Sequence, residues 1–229
     1  MCVSTRYALL DWDNTLREGF TITSWTKYLC DKKAVHEDAY CKLMRQFDLY
    51  HAKQISYQQL GNTTTEIYAQ ALVGVEVSLI EQLAYSFCQQ DKAIFKFAGN
   101  LFKLFQEKGV ETIVISGSPQ IVLAQYAKQL GISEIHGMDI EIQSNKYTGA
   151  IKQDFGAEKE LIVKEIYHAR KGAPLIALGD SIADEPLLKV AEYGYLLDRE
   201  RKMIMLNGYE VAPLSSIETV IKECISFSI

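Results

Sequence analysis

The chain has 229 residues, of which 48% are apolar and 23% are charged, and its formal net charge is −5. This length and apolar content are enough to bury a large core, either as one domain or as a core with a smaller lid. A mildly acidic chain gains little from counterion release on nucleic acid, and no apolar stretch approaches the ~18 residues that cross a bilayer. We therefore expect neither a nucleic-acid partner nor a membrane partner.

The five cysteines are widely spaced and form no CxxC pair. This pattern suggests neither a structural zinc site nor a disulfide framework, and it favours reduced thiols in a reducing compartment. The first apolar run, residues 7–10, is too short for the core of a signal peptide. Together these features predict a cytoplasmic protein.

Short apolar runs alternate with helical patterns along much of the chain. Strands are predicted at 7–10, 111–115, 174–178 and 193–197, and helices at 98–108, 119–130 and 157–170. This alternation predicts an α/β fold with a Rossmann-like parallel sheet that helices cover on both faces. Residues 139–151 differ, because apolar residues flank a turn at 144–146, and they predict a hairpin appended to the sheet.

Residues 17–96 hold no convincing apolar strand. Their pattern predicts about four helices, at roughly 22–32, 36–50, 56–73 and 76–90. We interpret this stretch as an all-helical domain inserted after the first strand, with the core formed by residues 1–16 and 97–229. No flexible linker separates the two parts, so the joints are expected near residues 16–20 and 92–98.

Two aspartates follow the first predicted strand. Asp11 and Asp13 lie two residues apart, and strand alternation would aim both carboxylates toward the same side. At about 4 Å and an effective dielectric constant of about 20, their repulsion is on the order of 4 kcal/mol. A divalent cation or a proton held on one of them would relieve it. The alternative is an exposed acidic turn that caps a helix.

A second polar turn, Ser116-Gly117-Ser118-Pro119, ends the strand at 111–115. Pro119 suits the first position of a helix and Ser118 its N-cap, so the free amides and the Ser116 hydroxyl would form an anion site. An ordinary capped turn is the alternative. Downstream, Lys159 begins a predicted helix, where a lysine is more commonly a solvated charge.

Two further carboxylates, Asp180 and Asp184, follow the strand at 174–178. Hard oxygen ligands of this kind suit magnesium, and helix capping is the alternative. In an open α/β sheet the ligand lies beyond the carboxyl ends of the strands. Side chains that are far apart in sequence can therefore converge there.

In order and character these residues resemble the haloacid dehalogenase superfamily of phosphohydrolases. The stretches 11–16, 116–119 and 179–188, with Lys159 between them, resemble most closely its phosphoserine phosphatase-like branch, as does 146–149 in the predicted hairpin. The resemblance implies a Rossmann-like core in which the insertion after the first motif is a cap that closes over the substrate. It also implies hydrolysis of a small phosphorylated metabolite through an aspartyl-phosphate.

The resemblance implies a role for each motif residue. Asp11 is the nucleophile, and Asp13 protonates the leaving alcohol and then activates water. Ser116, Gly117 and Lys159 hold the phosphate oxygens. A proton on Asp13 near neutral pH would require a raised pKa, which we expect from neighbouring negative charge.

The resemblance also implies a Mg²⁺ cofactor. Asp11, the backbone carbonyl of Asp13 and Asp180 would bind the ion, and Asp184 would support it through its water shell. Magnesium and a lysine would neutralise the charge of a phosphate that faces an ionised aspartate.

The substrate is expected to differ from phosphoserine. Residues 51–63 contain no arginine, whereas a substrate carboxylate normally takes a bidentate cation partner. A sugar phosphate, a phosphorylated alcohol and an amine-bearing phosphate all stay open. Glu18, Trp25 and Tyr28, near the first joint, are candidate specificity residues, with plain packing as the alternative.

Two other functions stay open on the same residues. A phosphotransferase or mutase would hand the phosphoryl group to an acceptor other than water. A non-catalytic protein would bind a phosphorylated metabolite without turnover. Either a monomer or a homodimer is compatible with the sequence.

Overall fold

The computed structural model describes residues 6–156, 158–198, 205–206, 209–213 and 216–227. The strands are β1 (Tyr7–Leu10), β2 (Glu111–Pro119), β3 (Glu134–Gln143), β4 (Lys146–Gln153), β5 (Ile176–Gly179), β6 (Tyr193–Asp198), β7 (Met205–Leu206) and β8 (Tyr209–Pro213). The helices are α1 (Thr21–Asp31), α2 (Asp38–His51), α3 (Tyr57–Ala71), α4 (Val77–Gln90), α5 (Lys96–Glu107), α6 (Gln120–Leu130), α7 (Lys159–Arg170), α8 (Glu185–Val190) and α9 (Ile217–Phe227), and a short 3₁₀ turn spans Ile182–Asp184.

These strands form one sheet in the order β4-β3-β2-β1-β5-β6-β8-β7. Six of them, from β3 to β8, pair in parallel, and β4 and β7 add antiparallel edges. The strand order reverses at β1, which pairs with β2 on one side and β5 on the other. The predicted α/β fold with a Rossmann-like parallel sheet is confirmed.

The sheet separates two apolar layers. Ala8 and Leu10 of β1 face the larger layer, which α5, α6 and α9 cover, while Tyr7 and Leu9 face α7 and α8. All four side chains are buried, as expected for a parallel strand covered on both faces. This explains why the run at 7–10 is apolar throughout instead of alternating.

Helices α1 to α4 fill the stretch between β1 and α5, close to the four predicted helices. The two joints of this helical insertion pair with each other in an extended conformation. The Glu18 amide donates to the Ala93 carbonyl at 2.8 Å, and the Phe95 amide donates to the Leu16 carbonyl at 3.0 Å. The chain therefore enters and leaves the helical insertion side by side.

A buried ion pair reinforces the two joints. Arg17 Nε lies 2.7 Å from Asp91 Oδ2, and their side chains are 3% and 8% exposed. Asp91 also accepts a hydrogen bond from the Tyr126 hydroxyl of α6, and Arg17 donates to Ser24 of α1 at 2.8 Å. The pair thus joins both linkers to one helix of the insertion and one helix of the core.

The connection between α3 and α4 also contacts the hairpin formed by β3 and β4. The Gly74 amide donates to the Tyr147 carbonyl at 2.9 Å, and the Tyr147 amide donates to the Val75 carbonyl at 3.1 Å. Val77 adds a third such bond, from its amide to the Asn145 carbonyl at 3.1 Å. This connection therefore pairs with the outer edge of the hairpin.

Several boundaries differ from the sequence predictions. β3 begins at Glu134 and first pairs in parallel with β2 before it forms the predicted hairpin with β4. Its first residues, 134–137, contain one large apolar side chain, Ile135, so they lack the continuous apolar run of a buried strand. The elements after residue 198 were not predicted. Of the helices in the described ranges, none combines the length and apolarity that a membrane span requires.

Candidate active site

The candidate site lies where the strand order reverses, at the carboxyl ends of β1 and β5. Asp11 directly follows β1 and Asp180 directly follows β5, while Ser116 lies near the end of β2. The first residue of α7, Lys159, reaches the same place from the adjacent helical layer. This is the position at which open α/β sheets bind ligands.

Lys159 bridges two buried carboxylates. Its Nζ lies 2.6 Å from Asp11 Oδ1 and 2.5 Å from Asp184 Oδ1, and the three side chains are between 1% and 9% exposed. The other oxygen of Asp11 accepts a hydrogen bond from the Thr15 hydroxyl at 2.8 Å. Asp11 is therefore fixed from both sides, with a cation against one oxygen.

The electrostatics of this group are dominated by burial. Burial raises the pKa of Asp11 to about 7, helped by the charge of Asp184 and opposed by Lys159. Burial disfavours the charged form of Lys159, but the two carboxylates outweigh it and raise the pKa of the ammonium. Lys159 therefore stays charged at neutral pH, as its predicted role as a phosphate ligand would require.

Three carboxylates gather at this edge. Asp11, Asp180 and Asp184 each offer an oxygen within 4.8 Å of the others. One ammonium leaves this group with excess negative charge, and hard carboxylate oxygens are the ligands that Mg²⁺ prefers. The residues present therefore fit a divalent cation. The Asp13 carboxylate is not part of this group, and a metal contact through the Asp13 carbonyl stays a prediction.

Asp184 is held rigidly by its neighbours. Its Oδ2 accepts hydrogen bonds from the amides of Asp180 and Ser181, at 3.1 and 3.0 Å, and from the Ser181 hydroxyl at 3.1 Å. A Cβ at Gly179 would lie 2.3 Å from the Asp184 Cβ, so only glycine fits there. With one oxygen on three donors and the other on Lys159, Asp184 is better suited to orient the site than to bind a metal directly.

Asp13 has its own set of donors. Its Oδ1 accepts from the Thr21 amide at 2.9 Å and the Thr21 hydroxyl at 2.5 Å, and its Oδ2 accepts from the Ser118 hydroxyl at 2.8 Å. The pKa of Asp13 is raised because burial outweighs these bonds and the charge of Arg17. The expected rise is present, but its main cause is burial, whereas the sequence suggested neighbouring negative charge.

The turn after β2 differs in detail from its prediction. Helix α6 begins at Gln120, and its N-cap residue, Pro119, has no side-chain cap. The predicted cap is wrong because the Ser118 hydroxyl is engaged by Asp13. Ser116 is 2% exposed, and its Oγ accepts from the Ser118 amide at 3.1 Å. The Ser116 hydroxyl thus lies in a tight turn beside the candidate nucleophile's strand.

Gly117 packs against a second glycine. A Cβ on Gly156 would lie 2.5 Å from the Gly117 Cα and 2.9 Å from its amide nitrogen. Because of this close approach, the turn after β2 contacts the loop that leads to Lys159. The predicted phosphate-binding residues, Ser116, Gly117 and Lys159, are therefore all brought to the rim where Asp11 lies.

Sequence reasoning missed the residues that orient these groups. Thr15, Thr21 and Ser118 fix the two aspartates, and the Trp12 indole donates to the Thr21 hydroxyl at 3.1 Å. Thr21 opens helix α1, so its amide brings the positive end of the helix dipole to the Asp13 carboxylate. A hydroxyl near a predicted strand end was the only signal in the sequence.

Sequence reasoning also missed Tyr57, the first residue of α3. Its ring is 48% exposed and meets Tyr50 edge to face, with 6.0 Å between the ring centroids. Burial of its hydroxyl raises its pKa, and the charges that also affect it are those of Asp11, Lys159, Asp184 and Asp180. Tyr57 is therefore a residue of the helical insertion that lies near the charged groups of the candidate site.

The structure gives two of the three predicted specificity residues packing contacts inside the helical insertion. Glu18 is exposed beside the joint. Trp25 has no exposed surface, donates to the Tyr68 hydroxyl at 2.9 Å, and stacks on Tyr28 with 5.9 Å between centroids. Trp25 and Tyr28 thus contribute to packing inside the helical insertion. A role in specificity stays a prediction for all three.

The chain belongs to the haloacid dehalogenase-like hydrolase family, whose model matches residues 8–189. Asp11, Ser116, Lys159, Asp180 and Asp184 all lie within that match. The resemblance drawn from the ordered motifs is therefore confirmed.

Solved structures of other proteins share the fold. A protein of unknown function from Bordetella pertussis Tohama I superposes with a TM-score of 0.73 at 17% identity, covering 91% of this chain and 98% of that one. A substrate-bound phosphoserine phosphatase gives a TM-score of 0.68 at 14% identity, covering 96% and 98%. At these identities the likeness establishes the fold and not the substrate.

Part of the chain is similar in sequence to a curated protein. A Mycobacterium tuberculosis protein named "Probable phosphatase" is 26% identical over 129 residues, which cover 53% of this chain and 45% of the relative. The chain thus matches less than half the length of this relative. Its activity therefore bears on this chain only as support for a proposal.

Proposed function

We propose that this protein is a Mg²⁺-dependent phosphatase that hydrolyses a small phosphomonoester through an aspartyl-phosphate on Asp11. One observation carries the proposal: Asp11 lies 2.6 Å from the Lys159 ammonium and within a group of three carboxylates at the carboxyl edge of the sheet. A nucleophile, a fixed cation and a place for a second cation are what transfer of a charged phosphoryl group requires. The membership of the hydrolase family supports this reading.

The reaction proceeds in two displacements. A carboxylate oxygen of Asp11 attacks phosphorus, and the bond to the ester oxygen breaks as Asp13 gives its proton to the departing alcohol. Water then attacks the phosphorus of the aspartyl-phosphate and gives a proton to Asp13. The bond between phosphorus and the Asp11 oxygen breaks, so phosphate is released and the Asp11 carboxylate is restored. Burial of Asp13, which raises its pKa, supports the first proton transfer. Ser116, the Gly117 amide and Lys159 hold the phosphoryl oxygens meanwhile.

Asp11, Asp180 and the Asp13 carbonyl would hold the magnesium ion. When bound, it supplies charge stabilisation for the phosphoryl oxygens. Asp184 would support this arrangement through Lys159 and through the amides of Asp180 and Ser181 that bind it.

The helical insertion, residues 17–96, would act as a cap on a core made of residues 1–16 and 97–229. Closure would exclude water and place the leaving group against Asp13. The joints near 16–20 and 92–98 are the proposed hinges. Since Thr21 of α1 binds Asp13 through its amide and its hydroxyl, the position of the cap would directly affect the general acid.

The substrate class follows from the charge of the cap. Residues 51–63 contain no arginine, Arg17 is paired with Asp91, and Tyr57, a cap residue near the charged groups of the site, is neutral. A leaving group with a carboxylate would find no bidentate cation partner there. An uncharged leaving group, such as a sugar or a simple alcohol, or an amine-bearing one fits better than phosphoserine.

The test is hydrolysis of p-nitrophenyl phosphate by the purified protein with Mg²⁺ and with EDTA, followed by a panel of phosphorylated metabolites. We expect turnover only with the metal, and preference for esters without a carboxylate. Added acceptor alcohols distinguish hydrolysis from phosphotransfer, since a transferase would form a new ester. Absence of turnover on every ester with Mg²⁺ would contradict the proposal.

A further inference from the structure

A contact far from the joints connects the helical cap to the core loop that precedes Lys159. The Thr65 hydroxyl of α3 donates to Asp154 Oδ2 at 3.1 Å, across 89 positions of sequence. Thr65 is only 4% exposed, so the donor of this hydrogen bond is buried. Asp154 lies between β4 and α7 and is half-buried. The Asp154 side chain of the core therefore contacts α3 directly, so its hydrogen bond depends on the position of that helix.

The same carboxylate shapes its own loop. Asp154 Oδ1 accepts the Gly156 amide at 3.0 Å, which turns the chain just before α7. Gly156 then packs so closely on Gly117 that a Cβ would lie 2.5 Å from the Gly117 Cα. Three residues after Gly156 comes Lys159, which binds Asp11. The loop thus touches both parts of the proposed phosphate site.

Helix α3 is placed to transmit the position of the leaving group. Its first residue, Tyr57, lies near the charged groups of the site, and Thr65 lies eight residues further along, about 12 Å at the rise of an α-helix. The far end of α3 is held to the core hairpin, where Gln70 Nε2 donates to the Gly149 carbonyl at 3.3 Å. A shift of the Tyr57 end of α3 would therefore change the hydrogen bond between Thr65 and Asp154.

We propose that Asp154 is a positioning residue that couples the cap to the phosphate site. With Thr65 on one carboxylate oxygen and the Gly156 amide on the other, Asp154 sets the loop that packs on Gly117 and leads to Lys159. Cap closure over a leaving group and correct placement of the phosphate ligands then occur together. This inference rests on the proposed phosphatase function.

The experiment compares two adjacent buried threonines. Thr65→Val removes the donor to Asp154 at nearly constant volume. Thr64→Val is the matched control, because the Thr64 hydroxyl is equally buried but bonds only to carbonyls of its own helix, those of Leu60 and Gly61. Thr65→Ser keeps a hydroxyl and tests rescue. Asp154→Ala removes both bonds of the carboxylate.

For p-nitrophenyl phosphate with Mg²⁺ we expect Thr65→Val and Asp154→Ala each to lower kcat/KM by about tenfold, since small misplacements of reacting groups are costly. The double variant Thr65→Val/Asp154→Ala should have the same kcat/KM as Asp154→Ala alone, because the two residues act through one contact. Thr64→Val and Thr65→Ser should stay near the native value. Equal kcat/KM for Thr65→Val and Thr64→Val would overturn the inference.

A second readout does not depend on turnover. Amide hydrogen exchange of residues 153–156 should be faster in Thr65→Val than in native protein or Thr64→Val, with thermal midpoints of the two variants alike. If no ester is hydrolysed by native protein, the proposed function fails while this exchange comparison still decides the structural coupling. Unchanged exchange in Thr65→Val would show that Asp154 does not sense the cap.

Discussion

The Nζ of Lys159 lies 2.6 Å from Oδ1 of Asp11, and both side chains are more than nine-tenths buried. The same ammonium lies 2.5 Å from Asp184. The Lys159 ammonium therefore lies between two buried carboxylates. Without it, their mutual repulsion and their burial would favour protonation of one of them. The arrangement holds the proposed nucleophile at the edge of the sheet and keeps a positive charge where a phosphoryl group would bind.

Replacement of Lys159 should damage both stability and turnover. In Lys159→Met the carboxylates of Asp11 and Asp184 lose their buried partner, and such a loss costs about 3 kcal/mol of unfolding free energy. Urea unfolding in EDTA measures this, and kcat with Mg²⁺ should fall at least about a hundredfold.

Lys164 supplies the control on the same helix. Its ion pair with Glu160 is mostly exposed, with side chains 64% and 71% accessible, and exposed pairs contribute little to stability. Lys164→Met should match the native protein in unfolding and in kcat. Equal behaviour of the two lysine variants would contradict the role given to Lys159.

Asp13→Asn should act on the leaving group. The asparagine amide is far too weak an acid to protonate the leaving alcohol, so kcat should fall by about 10²–10⁴ for an alkyl phosphate. The loss in the first step should be smaller for p-nitrophenyl phosphate, whose leaving group needs little protonation. Rapid-quench measurement of released p-nitrophenol and of alcohol from glycerol phosphate checks this. Equal losses of the first-step rate on both esters would argue against Asp13 as the acid.

The joint between cap and core should be sensitive to acid. Burial disfavours a charge on Asp91, but the hydrogen bonds from Arg17 and Tyr126 outweigh it and lower its pKa. A lowered pKa in the folded state stabilises the protein fully above the ordinary carboxyl value of about 4, and this contribution is lost as the pH falls through the folded-state pKa. Asp91→Asn should therefore lower the unfolding free energy at pH 7 by about 3 kcal/mol, since it leaves Arg17 buried without its counter-charge.

Denaturant titrations from pH 7 down to about pH 3 measure this difference. The gap between native and Asp91→Asn should be constant down to about pH 5 and shrink below about pH 4. Asp31→Asn is the control, because its pair with Lys27 is more than half exposed. A gap for Asp91→Asn that grows as the pH falls would have the wrong sign for this account.

Tyr57 should affect recognition more than chemistry. Aromatic contacts of this kind contribute about 0.5–1.5 kcal/mol, so Tyr57→Ala should raise KM for p-nitrophenyl phosphate by roughly threefold to tenfold with a smaller change in kcat. Tyr57→Phe keeps the ring and should lie closer to native. Tyr85→Ala, a cap tyrosine that is 58% exposed on α4, should leave KM unchanged. Equal KM values for Tyr57→Ala and Tyr85→Ala would contradict a contact between Tyr57 and the substrate.

The main outline of the site could be predicted from the sequence because its parts end predicted strands. Asp11 and Asp180 follow short apolar runs, and parallel strands bring such ends to one edge. Lys159 could be assigned only through the family resemblance, since a lone lysine at the start of a helix is usually solvated. Its link to Asp11 spans 148 positions, which no local pattern reveals.

The supporting contacts could not be predicted because they depend on how the layers pack. Ser118 was expected to cap α6, but its hydroxyl binds Asp13 instead. Arg17 and Asp91 are 74 positions apart, and each alone is an ordinary charged residue near a joint. The first part of β3 was missed because Glu134, Ile135 and His136 pair with β2 without the continuous apolar run typical of a buried strand.

The central claim, that Asp11 is the phosphorylated nucleophile, is tested most directly by mass spectrometry of protein quenched in acid during turnover of p-nitrophenyl phosphate with Mg²⁺. We expect a covalent phosphoryl group on the peptide that contains Asp11, accumulating further in Asp13→Asn and absent from Asp11→Asn, which should have no activity. Turnover by Asp11→Asn at a rate near the native one, or a phosphoryl group on another residue, would contradict the account.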